Sequence, residues 1–189
     1  MGDVTAVLDA CVLYPAPLRD FLMHLALLDA FRARWSEAIH DEWIRNLLES
    51  RADLRREQLE RTRELMNLHV RDALVENYED LIDTLELPDA DDRHVLAAAI
   101  HSKAEAIITF NLRDFPLEKL EKYGIEAVHP DAFIVSLIEE DARIVAEALK
   151  NQQSTLKNPP QTLKEVLATL ENNGLKRTVK GLGLLLDEG

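Results

Sequence analysis

The sequence predicts an α/β fold: a parallel sheet flanked by helices, followed by an all-helical C-terminal extension. Three observations carry this. Short apolar runs at residues 4–8, 106–110 and 125–128 read as buried parallel strands. Stretches of helical periodicity lie between them, and strands alternating with helices imply right-handed crossovers in one sheet. After Pro130 strand signals cease and the chain reads as helix to its end. The 189 residues suit one ordinary domain with an extension, divided at 1–130 and 131–189.

Each element has its own signal. The first strand stops at Asp9, and Pro15 and Pro17 mark a turn. Over residues 18–31, Leu18, Phe21, Leu22, Leu25, Leu28 and Phe31 recur at helical spacing. Ser36 is placed to cap a helix over 37–49, whose apolar side holds Ile39, Trp43, Ile44 and Leu47. Residues 52–69 form a charged amphipathic helix and 78–85 a short one. Pro88-Asp89-Ala90-Asp91-Asp92 is a turn whose acids suit the positive end of a helix over 93–102. A loop at 111–116 and a short helix at 117–123, stopped by Gly124, lead to the third strand. In the extension, helices at 132–151, 162–172 and 175–186 are separated by Asn158-Pro159-Pro160 and by Gly174. The acidic end, Asp187-Glu188-Gly189, reads as frayed.

Composition narrows the function classes. No run approaches the roughly 20 apolar residues of a membrane helix. The first residues have neither the basic region nor the cleavage site of a signal peptide, so the expected location is the cytoplasm. Cys11 is the single cysteine, which rules out an internal disulfide and a cysteine-rich zinc site; it reads as a small buried residue. The net charge of −13 argues against broad nucleic-acid binding through basic surface. Arg45, Arg51, Arg55, Arg56, Arg61 and Arg63 read as solvated helix faces, as do the lysines near the end.

The acids are the informative part. In parallel sheets functional groups gather beyond the carboxyl ends of strands. Asp9 stands there for the first strand and Asp114 lies just beyond the second. Asp92 opens the intervening helix, three and four residues before Val95 and Leu96 and hence over its buried face. Glu42 lies beside Trp43, one turn before Asn46. Each acid also has an ordinary reading: helix caps for Asp91 and Asp92, a surface acid for Glu42, a turn residue for Asp114. Asp9 is hardest to dismiss, because a carboxylate directly after a buried strand needs a partner. Convergent carboxylates favour a hard cation, Mg²⁺ or Mn²⁺, between them.

Four strings bear a resemblance to a known family. Val7-Leu8-Asp9-Ala10-Cys11-Val12-Leu13-Tyr14-Pro15 resembles the opening of PIN-domain proteins. Ile39-His40-Asp41-Glu42-Trp43-Ile44 resembles the segment where the family carries its glutamate. Asp89-Ala90-Asp91-Asp92-Arg93-His94-Val95-Leu96-Ala97-Ala98-Ala99 and Ile107-Ile108-Thr109-Phe110-Asn111-Leu112-Arg113-Asp114 are similar to its third and fourth acidic motifs. The match is best to the VapC-type toxins of toxin–antitoxin pairs. The resemblance implies a PIN-like nuclease domain over 1–130 and an RNA endonuclease using Mg²⁺ or Mn²⁺, held inactive by a cognate antitoxin. It implies Asp9 as central metal ligand, Glu42 and Asp92 as further ligands, and Asp114 completing the cluster with help from Thr109 and Asn111. Asp92 fits the family's offset to Ala99 better than Asp91. A homodimer is a further expectation. The rivals are a non-catalytic PIN-fold adaptor and a nuclease acting on DNA. A haloacid-dehalogenase-like phosphatase needs a second aspartate where Cys11 stands.

Overall fold

The computed structural model describes residues 4–187. Its sheet has the order β2-β1-β3-β4, with every neighbouring pair parallel. These strands are β1 (Thr5–Leu8), β2 (Arg32–Arg34), β3 (Ala106–Ile108) and β4 (Glu126–Val128). The two central strands, β1 and β3, are buried throughout, as expected of strands covered on both faces. The outer strands alternate or are half-exposed.

The helices of the first part are α1 (Ala10–Leu13), α2 (Ala16–Leu27), α3 (Glu37–Ser50), α4 (Arg56–His69), α5 (Arg93–His101) and α6 (Leu117–Leu120). Ser36 caps α3 as its sequence predicts, accepting the Ile39 N–H at 3.3 Å. Residues 79–84 form a 3₁₀ turn rather than an α-helix. Two expectations need correction. Pro15 stands in the expected bend between α1 and α2, as the N-cap of α2, but Pro17 lies inside the first turn of that helix rather than in the bend. The helix expected to reach Phe31 ends at Leu27. Asp29 adopts a left-handed conformation (φ 54°), and Phe31 then leads into β2. That strand has no apolar run to announce it: of Arg32-Ala33-Arg34 only Ala33 is buried.

The helical extension consists of α7 (Pro130–Thr155), α8 (Leu163–Asn172) and α9 (Lys176–Asp187). α7 packs on α2 and α9, and α8 packs on α9. Phe133 of α7 meets Phe31 edge-on, with ring centroids 5.0 Å apart. A non-helical residue, Asp141 (φ −148°, ψ 92°), kinks α7. Asp131 is 7% exposed and accepts the Arg177 N–H at 3.0 Å and the Thr178 N–H at 2.8 Å. It thereby caps the N-terminus of α9 from a distance in sequence. Leu184 is exposed, and the side chains of Leu185 and Leu186 lie outside what the structure describes; of the frayed end expected at Asp187-Glu188-Gly189, Asp187 is the last residue of α9, and Glu188 and Gly189 lie outside the described residues. Among the described residues no helix is long and apolar enough to cross a membrane.

Candidate active site

The sheet order places a switch point between β1 and β3. From β1 the chain crosses to β2 on one side, then returns to β3 on the other. Such a switch point, at the carboxyl ends of the two strands, is where parallel sheets bind their ligands. Asp9 directly follows β1 and Thr109 directly follows β3. The ladder continues through both: Asp9 N donates to Ile108 O (3.1 Å) and Thr109 N to Val128 O (3.0 Å).

Asp9 is 3% exposed. Its Oδ2 accepts the Thr109 hydroxyl at 2.7 Å and the Cys11 thiol at 3.1 Å. Thr109 Oγ1 accepts the Asn111 N–H at 2.9 Å, which leaves its own hydrogen for Asp9. Cys11 Sγ accepts the Phe110 N–H at 3.3 Å. Burial raises the Asp9 carboxyl above its usual range, and the charge on Glu42 adds to the rise; the bonds from Thr109 and Cys11 pull it back. Cys11 is half-buried and more than filler. Burial, then the Asp9 charge, pushes its thiol up to about 12, so it stays a protonated donor rather than a nucleophile.

Asp92 occupies the N-cap position of α5, yet its side chain makes no cap hydrogen bond. Its carboxyl is pushed up to about 7 by burial, then by the charges of Asp9, Asp114, Asp89 and Glu42. Asp9, Glu42 and Asp114 therefore each lie within electrostatic reach of Asp92, and Glu42 within reach of Asp9. Asp91 is exposed, and its N–H is taken by Asp89 Oδ1 at 2.9 Å in a local turn. Asp114 is half-buried in the turn after β3, where its N–H donates to Asn111 O at 3.0 Å.

Glu42 rides on α3, which a buried network anchors. Arg19 stacks over Trp43 at 4.6 Å and donates to Leu13 O at 2.6 Å. Trp43 Nε1 donates to His40 Nδ1 (3.0 Å), and His40 Nε2 bonds Asn67 Oδ1 (3.0 Å), which also accepts from Trp35 Nε1 (2.7 Å). Burial drives His40 down to about 4, so it is neutral. Sequence reasoning also missed His94, whose Nε2 stands 3.3 Å from Glu42 Oε2. No sequence signal beyond its place two residues after Asp92 points to it.

Among the described residues, no three His, Cys, Asp or Glu side chains close on one point as a finished metal cage would. The donors are nonetheless carboxylate oxygens, the set a hard divalent cation takes, and Asp92 shows the mutual repulsion that such a cation relieves. The arginines of α4, and Arg51 just past α3, are engaged with acids: Arg51 with Asp53, Arg56 with Glu60, Arg61 with Glu64, and Arg63 with Glu37 and Asp41. An apolar cavity of about 510 Å³ lies apart from the acids, between α2, α4, α8 and the end of α7.

Residues 5–113, more than half of the chain, match the model of the PIN domain. The chain belongs to the PIN-domain family. Residues 130–183 match the VapC50 C-terminal domain. Over 79 residues the chain is 37% identical to a Mycobacterium tuberculosis (strain ATCC 25618 / H37Rv) protein named "Putative ribonuclease VapC50". That match covers 42% of this chain and 47% of the relative, so it spans about half the length of each. No solved structure matches at a significant level.

Proposed function

We propose that this PIN-domain chain is a Mg²⁺- or Mn²⁺-dependent endoribonuclease and the toxin of a toxin–antitoxin pair. The observation that carries the reading is Asp92, its carboxyl pushed up to about 7 by burial and by Asp9, Asp114, Asp89 and Glu42. Acids gathered in this way destabilise the fold unless a cation lies among them, so they mark a functional site. The likeness to a protein named a ribonuclease supports RNA as substrate over DNA.

When bound, the metal supplies an activated water and stabilises charge on the phosphate. The chain's own residues do the rest. The Thr109 hydroxyl and Cys11 thiol fix one oxygen of Asp9 and so set the direction of its carboxylate. Asp92 holds a proton near neutral pH while its charge is uncompensated. Asp114 and Asn111 share the turn after β3, where Asp114 N donates to Asn111 O, and would supply further oxygen ligands from that side. Purified protein is expected to cut single-stranded or structured RNA with Mg²⁺ or Mn²⁺, and chelator to stop it. Full cleavage by both Asp9→Asn and Asp92→Asn would overturn the reading.

The antitoxin is proposed to dock on the apolar cavity beside the extension. Its walls include Met23, Met66, Leu156 and Val166, and Leu27 and Leu65 line it at 48% and 36% exposure. Leu27→Glu and Leu65→Glu should abolish pull-down of the cognate antitoxin without changing RNA cleavage. Unchanged capture would reject this surface. A homodimer is a further proposal, tested by sizing in solution.

A further inference from the structure

We propose that His94 is a positioning residue that holds the Glu42 carboxylate for the metal through the close contact of its Nε2. The proposal rests on the metal-dependent reading given above.

The acids differ in how they are fixed. Asp9 is set by the strand it ends, Asp92 by the start of α5 and Asp114 by a turn. Glu42 sits inside a helix on a longer side chain, and placing its carboxylate means freezing several torsions. Among the described residues the group that reaches it is His94, with Nε2 at 3.3 Å and side-chain exposures of 17% and 28%. This contact joins α3 to the first turn of α5, the helix that Asp92 opens.

The other ring nitrogen says which hydrogen is used. His94 Nδ1 is buried and has no hydrogen-bond partner. A hydrogen placed there would face no acceptor, whereas Nε2 is the ring nitrogen that approaches Glu42 Oε2, at 3.3 Å, so a hydrogen carried on Nε2 is the one that can serve the carboxylate. The negative charge of the carboxylate is what draws the metal. A lysine or arginine at this place would cancel that charge and compete with a divalent cation. Partners that orient ligating groups in this way typically alter metal affinity by 10–100-fold when removed.

The test uses the full chain and Mn²⁺ alone, with free Mn²⁺ followed by electron paramagnetic resonance and folding checked by circular dichroism. In His94→Gln the amide nitrogen reaches the place of Nε2; in His94→Asn it reaches only the place of Nδ1. His94→Asn should weaken Mn²⁺ binding about tenfold. His94→Gln should restore most of it, which simple packing between α3 and α5 does not predict. Should His94→Asn not fold, His94→Phe supplies the donor-free side chain, with the same loss expected. Wild-type affinity in the donor-free variant, or equal weakening in the Gln and Asn variants, overturns the proposal. A wild-type chain that binds no Mn²⁺ is a different outcome, and it overturns the metal-dependent reading itself.

Discussion

Asp9 and Asp131 are both buried aspartates lying just past a strand of the same sheet, and their surroundings are opposite. Asp131 gives its two carboxylate oxygens to two main-chain N–H groups in the first turn of α9. Asp9 takes a hydroxyl and a weakly donating thiol on one oxygen, with the charges of Glu42 and Asp92 close by. An acid answered by backbone donors at a helix start belongs to the fold. An acid whose neighbours are other acids is held against the preference of the apo protein, which is the mark of a site.

This contrast is tested first by exchanging each acid. Asp9→Asn should lower RNA cleavage on the order of 10²-fold or more, as expected when a direct ligand is lost. It should not lower the urea midpoint of the metal-free protein, because it removes a buried charge among like charges. Asp131→Ala should do the reverse. Two buried N–H groups lose their acceptor, costing about 1–3 kcal/mol in urea unfolding, while the folded protein keeps its cleavage rate. If Asp9→Asn destabilises and Asp131→Ala does not, the distinction between the two acids fails.

A smaller effect sharpens it through pH. The Asp92 carboxyl is raised in the folded state from 3.8 to about 7. Its contribution to stability is therefore full below about 3.8 and is lost as pH rises through about 7. His40, lowered from 6.5 to about 4, contributes above about 6.5 and loses that contribution as pH falls through about 4. The two slopes oppose each other between pH 4 and 7. In chelator, Asp92→Asn removes the falling one, so urea midpoints at pH 5 and 7.5 should rise with pH more steeply than in wild type. An unchanged pH dependence would show that the acids around Asp92 do not load it as described.

What the sequence revealed follows from how local each signal is. β1 and β3 declare themselves as apolar runs because both their faces are covered. β2 does not, because an edge strand of arginines around one buried alanine has no apolar pattern to read. Phe31 continued the helical spacing of α2 by coincidence, and one left-handed residue, Asp29, ends the helix before it. The motif acids were legible through their order and their likeness to a family, while spacing alone was weak. Thr109 was legible only as a neighbour of that motif. The partners of Glu42 and Asp131 were invisible, since His94 and Arg177 meet them across long stretches of chain and neither forms a periodic pattern.

The cap that Asp131 places on α9 also has a consequence for the order of assembly. The two donors it needs lie 46 and 47 residues further along the chain. During synthesis the start of α7 leaves the ribosome well before them, carrying a carboxylate whose native partners do not yet exist. Domains emerging N-terminal first can settle the sheet while the chain still grows. The extension cannot seat α9 until Arg177 and Thr178 have been made, so a ribosome that stalls before Arg177 releases a product whose Asp131 carboxylate lacks these two donors. The docking of α9 thus reports that translation has passed Thr178.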